Sequence, residues 1–132
     1  MLKNHIYAIG GHDHGLTGSI ECHEVGTSSD WITILEDHEL IKSSLFAVTA
    51  ISSNKIAIYG GIARHGVIFH TVQKSVTKIL GSSSDVEFDT SSQVHWIGKN
   101  RYLTLCCDTK DKHVQMVQLK YEDNDYAECR AI

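Results

Sequence analysis

Asn54–Gly61 reads NKIAIYGG, and two further segments repeat its pattern without gaps: NHIYAIGG over Asn4–Gly11 and NRYLTLCC over Asn100–Cys107. Each opens with Asn and a basic or imidazole residue (His5, Lys55 or Arg101), runs through mostly apolar residues and closes on a doublet of small residues. The starts lie 50 and 46 residues apart. The Ile56–Tyr59 run is apolar at every position, so it predicts a strand covered on both faces, where simple alternation is lost.

The residues around each segment also read as strands. A polar turn follows each doublet: HDHGLTG, IARHG or DTKDK. Further strands are then expected over 19–25, 66–72 and 113–119, and third strands over 31–35, 76–80 and 126–132. A leading strand precedes the Asn of the second and third units, over 45–51 and 93–97, but not that of the first. This gives eleven strands, three in the first unit and four in each of the others. Long helical periodicity is missing. A period near 50 with this content points to an all-β chain of propeller blades, each a four-stranded antiparallel sheet, with repeats over 1–44, 45–92 and 93–132.

Composition fits this reading and excludes several classes. Apolar residues make up 42% and charged residues 21% of the 132, which argues against a disordered chain. The net charge of −4, without a long Lys/Arg cluster, disfavours nucleic acid and anionic membranes as partners. No apolar run suits a transmembrane helix and the first residues do not resemble a signal peptide, so a cytoplasmic protein is expected. Proline is absent, and interior strands offer it few places.

Glycine in the doublets Gly10-Gly11 and Gly60-Gly61 permits positive φ and close approach between neighbouring sheets. Cys106-Cys107 takes the same place in the third unit and, carrying Cβ atoms, requires more ordinary backbone. With Cys22 and Cys129 these make four cysteines without CxxC spacing, read as reduced and mostly buried.

The strand-plus-doublet segments at Ile6–Gly11 and Ile56–Gly61 resemble the kelch-repeat family of β-propellers. Kelch units tend to carry a Trp in the last strand, and Trp31 lies twenty residues after Gly11. Tyr126, nineteen after Cys107, is an aromatic substitute, and Phe69 occupies the Tyr-like place of the second unit. The first unit has Cys22 or His23 at that place, and the second has only Val76 where a Trp would stand. A WD-type propeller scaffold is the alternative, although no Trp-Asp dipeptide ends a strand and its period is shorter. A general β-sandwich is the third option.

Propellers have four to eight blades, and 132 residues supply about three, so the ring does not close. The resemblance therefore implies a piece of a larger propeller, completed by blades of the same parent chain, or two arcs joined as a dimer. It also implies a protein or peptide ligand on the rim formed by the turns after the doublets. That rim would carry His12, Asp13, His14, Arg64, His65, Lys110, Asp111 and Lys112. Arg64 leads these candidates, because its fork of donors suits carboxylate- or phosphate-bearing peptides. The competing reading makes them plain polar turns.

His12-Asp13-His14, with His23 near, also invites a metal. A solvated hairpin accounts for them more simply, so no metal and no cofactor are expected. A metal-dependent kelch-type enzyme fragment is the alternative. No GxSxG elbow, GxGxxG or P-loop is present, and no catalytic residue is assigned. Trp31 and Trp96 are expected to pack between blades.

Overall fold

The computed structural model describes residues 4–12, 14–42, 46–60, 65–81, 94–107, 114–121 and 126–131. Among these residues the chain is all β, without a helix, in three sheets. The first has three antiparallel strands, β1 (His5–Ile9), β2 (Ile20–Glu24) and β3 (Ile32–Leu35), in chain order. The second has four, β4 (Phe46–Ser52), β5 (Lys55–Gly60), β6 (His65–His70) and β7 (Ser75–Lys78), also in chain order. The third contains β8 (Leu80–Gly81), β9 (Val94–Gly98), β10 (Arg101–Cys107), β11 (Val114–Tyr121) and β12 (Tyr126–Ala131), in the order β8-β12-β11-β10-β9.

The three repeated segments become β1, β5 and β10, and each pairs antiparallel with the strand that follows it. A leading strand lies on the other side of β5 and β10, namely β4 and β9, whereas the described part of the first sheet has no such strand. Local chemistry sets the turns. Ser52 Oγ donates to Asn54 Oδ1 at 2.8 Å and accepts from the Asn54 amide at 3.4 Å, holding the β4–β5 turn. Trp96 Nε1 donates to the Lys99 carbonyl at 2.9 Å across the β9–β10 turn. Asn4 takes φ 61° where the chain enters β1, a conformation that Asn tolerates better than most residues. Gly10 at φ 61° and Gly11 at φ 120° use the backbone freedom expected of the first doublet.

Ile56, Ala57, Ile58 and Tyr59 are all buried, so β5 is covered on both faces as its sequence predicts. The alternation of a strand assigns the faces. Ile56 and Ile58 look toward the first sheet, where they cluster with Ile20, Ile41, Val67 and Phe69. Tyr7 joins from β1, its ring meeting that of Phe69 edge-on at a centroid distance of 6.1 Å. Burying a side chain of this size stabilises by about 1.5–3 kcal/mol, so this cluster is the main cement between the two sheets. On β6, Gly66 makes room for the Tyr59 ring: a Cβ there would come within 2.8 Å of it. The third sheet is tied to the second through the Tyr102 hydroxyl of β10, which donates to the Ala50 carbonyl of β4 at 3.2 Å.

Two expectations change. The strand expected over 76–80 ends at Lys78, because after the bond from the Ile79 amide to the Gly66 carbonyl β6 has almost no length left to pair with. Leu80 and Gly81 instead pair in parallel with Tyr126 and Ala127, so the described residues form twelve strands where eleven were expected, and this pairing joins residues from either side of the expected repeat boundary at 92. Trp31 and Trp96 are not buried between sheets: they are 48% and 66% exposed. Trp31 lies against the His23 ring at 5.4 Å, on the side of β2 that faces away from the second sheet, and Trp96 stands on the edge strand β9.

Candidate functional site

The loop after β1 is built by its own backbone. The Gly10 amide donates to the Ser19 carbonyl at 2.8 Å, the Thr17 amide to the Gly11 carbonyl at 3.0 Å, and His12 bridges to Leu16. Within this frame His12 and His14 are exposed, so the loop presents two imidazoles on a fixed base. Of the other rim candidates, His65 opens β6 opposite Gly60. Asp13, Gly61, Arg64, Lys110, Asp111 and Lys112 lie outside the described residues. Cys106 and Cys107 end β10 opposite Gln115 and Val114, and Tyr126 opens β12. β1, β5 and β10 each pair antiparallel with the strand that follows them. Among the described residues, no group of three His, Cys, Asp or Glu side chains is placed to hold a metal ion. No helix of the described residues is long and apolar enough to cross a membrane.

A second feature was visible in the sequence only as a strand missing from the count. Between β1 and β4 lies a groove of about 280 Å³, lined by Ile6, Tyr7 and Ile9 on one side and Val48, Ala50 and Ile56 on the other. Its position follows from the ladder. The Val25 amide donates to the Asn4 carbonyl at 2.7 Å and the Gly10 amide to the Ser19 carbonyl at 2.8 Å. In an antiparallel pair the bonded residues alternate, so Asn4, Ile6, Ala8 and Gly10 turn their backbone groups to β2. Tyr7 and Ile9 therefore aim their N–H and C=O at the opposite edge, over the groove. In the second sheet the Thr71 amide donates to the Asn54 carbonyl at 2.9 Å, which fixes the same alternation. There Ala57 and Tyr59 aim at β4 and are met by Thr49 and Ala47.

Beside the groove, Tyr7 stands directly opposite Cys22 across the β1–β2 ladder. Burial pushes the Tyr7 phenol up, and the neighbouring thiol adds to this. Burial also pushes the Cys22 thiol up; the Tyr7 hydrogen bond opposes the shift and Glu24 reinforces it. Both shifts favour the neutral phenol and thiol beside the groove.

The outward face of the first sheet carries half-exposed Ile6 directly opposite His23, with Trp31 stacked on the latter. No family model, curated protein or solved structure matches the chain.

Proposed function

We propose that the chain is a three-blade arc of a kelch-like propeller that serves as a protein–protein interaction module, engaging a protein or peptide through the turns after β1, β5 and β10. The supporting observation is the sense in which the sheets succeed one another. The first sheet meets the second with Tyr7 and Ile9, positions equivalent to Ala57 and Tyr59, which on the second sheet look away from the first. The third meets the second with Tyr102, equivalent to Ile56, which looks toward the first. The first and third sheets thus turn opposite kinds of face to the second, as a head-to-tail series requires. A head-to-tail interface repeats into a ring or an open array. The uncovered apolar face at Ile6 and Trp31 is where such a series would continue into the remaining blades of a larger ring.

On this reading the turns after the three repeated strands share one rim, and the sequence puts His12 and His14 in the first turn and Arg64 in the second. Imidazole and guanidinium there favour an acidic or phosphate-bearing peptide. The test is affinity capture with the wild-type chain, His12→Ala, Arg64→Ala and a control, Gln73→Ala, in the exposed turn at the other end of β6. Partners lost with the first two variants and kept with the control support the rim. Partners that survive both changes contradict it.

A further inference from the structure

We infer that the end of the second and third sheets opposite the rim binds a compact polyphosphate anion between the β4–β5 and β9–β10 turns. This site is independent of the rim loops. It uses a feature of the repeat that the rim leaves unused, the cation that follows the Asn: Lys55 in the second unit and Arg101 in the third. Between residues 46 and 131 the described residues hold seven Lys and Arg against one carboxylate, Glu128. The first sheet differs, since the equivalent His5 stands opposite Glu24.

The two turns lie side by side. The Tyr102 hydroxyl, next to Arg101, donates to the Ala50 carbonyl at 3.2 Å, and Ala50 stands opposite Ile56, next to Lys55. Strand alternation puts Lys55 on the face of Ala57 and Tyr59, the one turned to the third sheet, where it is half-buried. Lys99 and Arg101 are exposed at the other turn. Exposed Lys74 flanks the pair: its amide donates to the His70 carbonyl at 2.8 Å, and His70 stands opposite Lys55. Lys99 at φ 48° and Lys74 at φ 55° hold a left-handed backbone that glycine would adopt at lower cost. Two turns of this end thus keep a cation where conformation alone favours none. The carboxylates Glu122, Asp123, Asp125 and Glu128 belong to β12 and the connection before it, across the third sheet from β9. An arginine fork and ammonium groups suit phosphate oxygens. The ligand is compact because the charge is local. At physiological ionic strength fields fade over roughly 8 Å, so a small anion meets this cluster alone. A long polyanion would also meet the acidic residues of 1–44 on a chain of net charge −4.

The probe is inorganic tripolyphosphate, titrated into the full chain at physiological ionic strength and followed by calorimetry and amide NMR shifts. Saturable binding is expected, with the largest shifts at Asn54, Lys55 and Lys99 to Arg101. Arg101→Gln and Lys99→Gln are each expected to weaken binding at least about threefold. Lys78→Gln removes an exposed lysine at the far end of β7 from the Lys74 turn and should leave binding unchanged. Lys99→Gly separates charge from folding. It relieves the φ 48° backbone, so the chain should melt no lower than the wild type while binding weakens as in Lys99→Gln. Absence of saturation, an equal loss with Lys78→Gln, or shifts centred on His12 and His14 would overturn the inference. So would a single-stranded oligonucleotide that binds through the same residues more tightly than tripolyphosphate, which would make nucleic acid the ligand.

Discussion

Val48 and Ile58 stand directly opposite each other on β4 and β5 and look toward the same neighbouring sheet, yet Ile58 is 4% exposed and Val48 44%. The first sheet covers β5 and stops short of β4. A substitution pair measures this asymmetry. Ile58→Ala leaves a cavity among buried side chains and is expected to cost about 2–5 kcal/mol, whereas Val48→Ala, already half in water, should cost less than about 1 kcal/mol. Chemical denaturation of the two variants reads the difference, and equal losses would mean that β4 is covered after all.

Gly18 is fixed by a close backbone crossing. The His38 amide donates to its carbonyl at 2.8 Å, and a Cβ on residue 18 would run into the His38 backbone. Backbone cannot yield as a side-chain tip can, so Gly18→Ala is expected to lose about 1–3 kcal/mol through overpacking. Thermal melting checks it. Gly26→Ala is a useful comparison, because a Cβ there meets nothing and its cost comes only from φ 84°.

The Tyr102 hydroxyl of the third sheet donates to the Ala50 carbonyl of the second at 3.2 Å. Tyr102→Phe keeps the buried ring and removes the donor, for an expected loss of about 0.5–1.5 kcal/mol. Denaturation together with exchange at β9 and β10 checks this: the third sheet should open more readily while the first is unchanged.

Alkaline pH should weaken the fold through the same groups that pack it. The Tyr7 and Tyr102 phenols and the Cys22 thiol are all raised, chiefly by burial, above their ordinary values of 10.0 and 9.0. The native state therefore keeps protons that the unfolded chain gives up. Their stabilising contribution is full below pH 9.0 and falls as pH rises past the ordinary values toward the native ones. Denaturation midpoints between pH 8 and 11 are expected to drop, and to drop less in Tyr7→Phe. A flat profile would contradict the buried placement of these groups.

The strands β1, β5 and β10 were legible in the sequence because each keeps both an Asn start and a β-rich run, and Ile56–Tyr59 announces burial on two faces through its lack of polar positions. The three-stranded first sheet was legible for the same reason, as a count of strands. The parallel pairing of Leu80–Gly81 with β12 was not, since a two-residue strand has no periodicity and its partner is more than forty residues away. The exposure of Trp31 and Trp96 was equally hidden: residue type predicts a wish for burial, while the sheets present decide whether it is met. His12 and His14 were found as an exposed loop pair from their glycine-flanked setting. The groove beside β1 depends on how two sheets face each other, and no local pattern encodes it.

The head-to-tail succession of the three sheets is tested most directly by through-space proton contacts in the NMR spectrum of the full chain. Contacts are expected between the Tyr7 and Phe69 rings, and between the Tyr102 ring and the backbone around Ala50 on β4. Both sets together place the second sheet between the other two, as a head-to-tail series requires. Contacts between Tyr7 and Tyr102, or the absence of either expected set in the folded chain, would contradict that order.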